Sequence, residues 1–62
     1  RRVSRFDYIK DYLRDAYYAY DPETYKYICR VERRGRYWIA EGEKGRTRDE
    51  AVWKVILKEE QK

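Results

Sequence analysis

The sequence predicts an α+β fold: a small two-layer α-β-β-α domain in which an antiparallel β-hairpin packs on two helices. Three observations predict it. Apolar residues recur at steps of three and four from Phe6 to Tyr20, two aromatic and β-branched stretches flank a glycine between Tyr25 and Gly42, and a capped amphipathic segment runs from Thr47 to Glu60.

The first helix is expected over about residues 4–20. Ser4 is placed to cap it, with Asp7 three residues on as an aspartate variant of the capping box. Phe6, Ile9, Leu13, Ala16 and Tyr20 form an apolar stripe joined by Tyr12 and Tyr17, and Asp7, Lys10, Asp11, Arg14 and Asp15 fill the opposite side. Pro22 stops the element near Tyr20, because it drives Asp21 out of helical dihedrals.

Two strands follow, at about 25–32 and 36–42. A three-residue loop, Arg33-Arg34-Gly35, lets glycine take the left-handed position of a type I turn with a bulge. Glu32 then faces Arg36, which turns Tyr27, Cys29, Val31, Tyr37 and Ile39 toward the helices and leaves Lys26, Ile28, Arg30, Trp38 and Ala40 outward. A two-stranded ribbon has two unpaired edges, which self-association into a four-stranded sheet would satisfy.

The second helix is expected over about 47–60. Thr47 caps it and Glu50 completes the capping box; Ala51, Val52, Val55 and Ile56 form the buried stripe, widened by Trp53 and Leu57. Gly42 and Gly45 before it match neither the Walker nor the dinucleotide spacing, and read as strand terminators.

Sixty-two residues make a single domain, 1–62, with a small core, because a chain this short buries only about 60% of its unfolded surface. Eleven aromatic residues, eight of them tyrosine, supply the missing volume. Charged residues are 45% of the chain, against about one quarter in ordinary domains, while Asn, His and Met are absent. That alphabet suits a thermostable protein or an artificially designed scaffold with no native ligand. The missing initiator Met points to a fragment, a processed form or a trimmed chain.

Without histidine, triads, zinc-histidine sites and imidazole acid-base catalysis are excluded. Cys29 alone makes no internal disulfide and no zinc set, and suits a packed core position in a reducing, cytoplasmic compartment. No enzymatic activity, cofactor or membrane span is expected.

The net charge of +4 is concentrated locally: Arg30, Arg33, Arg34 and Arg36 crowd the hairpin, and Arg46 and Arg48 begin the last helix. With Lys26 and an outward Trp38 to stack an unpaired base, these residues form the expected nucleic-acid or partner surface, for RNA before DNA. The same Trp38 and Ile28 would equally centre a protein interface or a homodimer.

The stretch from Tyr25 to Lys58, with "GEKGRTRDEA" at its middle, resembles the C-terminal half of the double-stranded-RNA-binding domain. The resemblance implies the helix-before-strands order and gives Thr47 the cap, Arg48 the first basic position and Ala51 the alanine that follows. Asp49 and Val52 stand where the family has further basic residues, and one strand of the family is missing. The shortened order is similar to that of some antitoxins and small phage proteins, which implies a dimerising or protein-interaction module as the alternative function.

Overall fold

The computed structural model describes residues 6–61, and its architecture corrects the expected α-β-β-α order. Five antiparallel strands run in chain order as one sheet: β1 (Asp7–Asp11), β2 (Ala16–Tyr20), β3 (Tyr27–Arg34), β4 (Tyr37–Ala40) and β5 (Glu43–Gly45). Among the described residues a single helix, α1 (Arg48–Glu60), packs on one face. No helix among the described residues is long and apolar enough to cross a membrane.

The segment expected as the first helix is instead the β1–β2 hairpin, and Ser4, its expected cap, lies outside the described residues. Two local devices bend the chain back. The Asp11 carboxylate accepts the Leu13 amide at 3.0 Å, an Asx turn, and the Arg14 amide donates to the Asp11 carbonyl at 3.3 Å. Lys10 then donates across the turn to the Arg14 carbonyl at 2.6 Å. The aromatic run that follows pairs on both sides, Tyr17 with Lys10 and Val31, Tyr18 with Ile9 and Arg30. Sheet pairing on two edges outweighs the accidental helical spacing of its apolar residues. The stop after Tyr20 is where Pro22 requires it, although the element that stops is a strand.

The hairpin between β3 and β4 is also shifted. Arg34 faces Tyr37, so the loop is the two residues Gly35 and Arg36, with Gly35 at φ +63°. Positive φ at the first loop residue alone is the II′ pattern, whose twist matches that of the strands. This one-residue change turns β4 over: Trp38 and Ala40 meet the helix, while Tyr37 and Ile39 face away. A bulge acts similarly in β3. Ala19 pairs with Cys29 but Tyr20 pairs with Tyr27, so Ile28 is extra and packs against the core while Tyr27 joins Tyr18 and Tyr20 on the open face.

The strand β5 was not expected. Its turn, Glu41-Gly42, has φ +47° and +83°, the type I′ geometry in which glycine is at ease and glutamate is not. Replacing Glu41 by asparagine, the preferred first residue of this turn, should raise stability by about 0.5 to 1 kcal/mol. Urea denaturation measures this, and no gain in midpoint would contradict the turn type.

The core is made of small residues under rings. Ala19, Cys29, Val31 and Ala40 of the sheet meet Ala51, Val52 and Val55 of the helix, with Phe6 at the margin against Trp53 at 5.4 Å between centroids. Alanines on both layers bring helix and sheet close together, and Gly45 brings them closest. Burial pushes the Cys29 thiol up to about 11, with Glu41 adding to the shift, so it is an inert packing group.

Candidate nucleic-acid interface

The alternation of strand directions sorts the connections into two ends. The β1–β2 turn, the β3–β4 loop and the β5–α1 junction lie at one end; the β2–β3 connection, the β4–β5 turn and the C-terminus of α1 lie at the other. A hydrogen bond of 2.9 Å from the Arg33 amide to the Asp15 carbonyl ties the first two connections together. Trp38 faces Gly45, which puts Arg46 level with the hairpin loop.

This sorting separates charge. Arg1, Arg2, Arg5 and Lys62 lie outside the described residues, and the twelve basic residues that remain equal the twelve acidic ones. Yet Arg14, Arg33, Arg34, Arg36, Arg46 and Arg48 share the first end with Asp11, Asp15, Asp49 and Glu50, whereas Asp21, Glu23, Glu41, Glu59 and Glu60 share the second with Lys26 and Lys58, so the first end keeps a small basic excess. The dipole of α1 points the same way, positive at Arg48 and negative at Glu60. Among the described residues, no carboxylate lies within ion-pair distance of Arg14, Arg33, Arg36 or Arg46. All four are exposed.

The other expected site residues have different positions. Arg30 sits mid-strand on the open face, held by Glu32 at 3.0 Å and Asp11 at 3.7 Å, and Arg34 donates to the same Glu32 at 2.8 Å. Hydrogen bonds from Arg30 and then Arg34 hold the Glu32 carboxyl below its ordinary range. Lys26 is exposed at the acidic end, away from the arginines. Trp38, expected outward among cations, is half-buried on the helix side against the core. No base can stack on an outward indole there, so that element of the expected surface is withdrawn.

Arg48 fills a structural role. At the first position of α1 its guanidinium lies 4.5 Å from the Tyr8 ring, 4.3 Å from Tyr17 and 5.7 Å from Trp38. Such stacking contributes roughly 0.5 to 2 kcal/mol for a partly desolvated cation. The neighbouring Asp49 accepts a hydrogen bond from the Tyr8 hydroxyl. Burial first, and that bond second, push the Tyr8 phenol far above its usual range. Thr47 caps as expected, accepting the Glu50 amide at 3.0 Å, while the Glu50 carboxylate turns to Lys54 at 3.8 Å.

An open cleft of about 480 Å³ at this helix start is lined by Phe6, Asp7, Tyr8, Thr47, Arg48 and Asp49. Asp7 and Asp49 make it a poor receptor for an anion. The exposed arginines without a carboxylate partner among the described residues, Arg14, Arg33, Arg36 and Arg46, lie outside this cleft.

Three residues of this end escaped the sequence reading. Tyr12, Leu13 and Arg14 form the β1–β2 turn, and Tyr12 and Leu13 are each 93% exposed. The signal for them was Asp11 at the head of "DYLRD", whose carboxylate makes an Asx turn with the Leu13 amide. No family model, curated protein or solved structure matches the chain.

Proposed function

We propose that the protein is a non-enzymatic nucleic-acid-binding module whose arginine end grips the sugar-phosphate backbone. The observation that supports this is that strand direction assigns Arg14, Arg33, Arg36 and Arg46 to connections at the same end of the sheet, each exposed and without a carboxylate partner among the described residues. Guanidinium forks match phosphate oxygens in pairs, and exposed arginines without carboxylate partners at one end of the sheet suit such binding. Association releases counterions, which gives a direct test.

Combined substitution Arg33→Ala, Arg36→Ala, Arg46→Ala should lower the slope of log K against log salt by about 2 on single-stranded RNA, with affinity falling at every salt concentration. Fluorescence anisotropy over a salt series measures this. An unchanged slope ends the reading.

A second reading, self-association, is favoured by the open face of the sheet. There Ile9 (56% exposed) and Tyr27 (55% exposed) adjoin Tyr18, Tyr20 and Ile39 around the balanced pairs of Arg30, Arg34, Asp11 and Glu32. Balanced charge and tyrosine suit a surface that meets its own copy. It predicts a mass that rises with concentration in light scattering and returns to that of one chain in the variant Tyr27→Glu.

A further inference from the structure

We propose that Tyr12, displayed at the tip of the β1–β2 turn beside Leu13, is a stacking platform for an unpaired base, so that the arginine end takes single-stranded rather than duplex nucleic acid. The inference rests on the phosphate-binding reading above and adds to it the class of strand.

The turn is built to display these side chains. Asp11 holds the Leu13 amide at 3.0 Å, Lys10 holds the Arg14 carbonyl at 2.6 Å and reaches Asp15 at 3.9 Å, and Asp15 is fastened to Arg33 by the 2.9 Å backbone bond. The backbone is thus restrained while Tyr12 and Leu13 are each 93% exposed. The restrained backbone need not be ordered on binding, which lowers the cost of an added contact to that of fixing the side chain.

What it would meet follows from its neighbours. Arg14 adjoins the pair in the chain, and Arg33, Arg36 and Arg46 share the same end. A strand whose phosphates lie on those arginines can turn a base onto the Tyr12 ring, with Leu13 covering its edge. In a duplex the bases are stacked on one another and offer no free face, so only an unpaired strand uses the tyrosine. Stacking of one base is sequence-tolerant, because every base has a π-face.

The test compares a labelled single-stranded oligouridylate with an RNA duplex of equal length, titrated by anisotropy against the wild type, Tyr12→Ala and Tyr12→Phe. Tyr12→Ala should weaken the single strand by about 5- to 150-fold, leave its salt slope unchanged and leave the duplex unaffected. Tyr12→Phe should retain wild-type affinity. A Tyr12→Ala affinity within twofold of wild type, or an equal loss on the duplex, would overturn the stacking role while leaving the arginine reading intact. Binding of neither probe by the wild type would overturn both. Cosedimentation with phosphatidylserine vesicles in place of RNA binding would also overturn it, and would assign the tip to a lipid surface.

Discussion

Replacing Gly45 by alanine is expected to cost about 2 to 3 kcal/mol, the upper part of the range for overpacking a tight site. A Cβ at this position would lie 2.5 Å from the Ala51 amide nitrogen and 3.0 Å from both Ala51 Cα and the Glu50 carbonyl carbon. All three are backbone atoms of the first turn of α1, so no side chain can swing aside. The helix must lift, and in lifting it withdraws Ala51 and Val52 from Val31 and Ala40. For a domain of this size the loss corresponds to a fall in Tm of about 10 to 20 °C, measured by circular dichroism. A fall under about 4 °C would show that the helix yields, contrary to the close approach described.

The second large effect is at Trp38, where truncation to alanine should cost about 2 to 4 kcal/mol, less than a fully buried tryptophan because the ring is half-exposed. Its ring centroid lies 5.8 Å from that of Tyr17 and 5.7 Å from the Arg48 guanidinium, above the cluster of Val31, Ala40 and Val52. Removing it opens the core and takes one wall from the cation held by Tyr8 and Tyr17. Trp38→Phe, which keeps most of the ring, should cost about 1 to 1.5 kcal/mol. Urea denaturation with an unchanged m-value measures both, and a loss below about 1 kcal/mol for alanine would contradict the packing. Weakened RNA binding by a Trp38 variant would accordingly report unfolding, whereas the exposed arginines can be removed with little change in stability.

The C-terminal half was legible in the sequence because its signals are local. Thr47 caps α1 where its position predicts, and Ala51, Val52 and Val55 are buried on the expected stripe. The first half was not, because "AYYAY" carries rings on both faces and so lacks the alternation that marks a strand: Tyr17 faces the helix while Tyr18 and Tyr20 face away. Its apolar residues satisfy the helical period by coincidence, and only pairing with β1 and β3 decides between the two. In the second hairpin the strands were visible and the faces were not, since a loop shorter by one residue reverses every side chain of β4. The bulge at Ile28 has no sequence mark.

The same reasons limited the site. Arg33, Arg34 and Arg36 stand out in the sequence as a crowded hairpin and Arg46 and Arg48 as the start of a helix, but their partners do not: Glu32 engages Arg34 and aromatic rings hold Arg48. The β1–β2 turn with Tyr12, Leu13 and Arg14 is assigned to the end of the β3–β4 loop only once the expected helix proves to be a hairpin. Arg30 and Lys26 were expected beside Trp38 on the outward face of the hairpin, but strand direction separates Lys26 from the others and Glu32 engages Arg30.

Every strand of the sheet pairs with its immediate neighbour in the chain, and two of the connections are two-residue turns. Loop closure is therefore brief at each step, and the search that slows most β-rich proteins is largely avoided. Hairpins of this kind zip within microseconds, so the meander can form as a succession of local events before α1 settles over it. The two-residue turns join β3 to β4 and β4 to β5, so loop closure favours these pairs over the longer β1–β2 and β2–β3 connections.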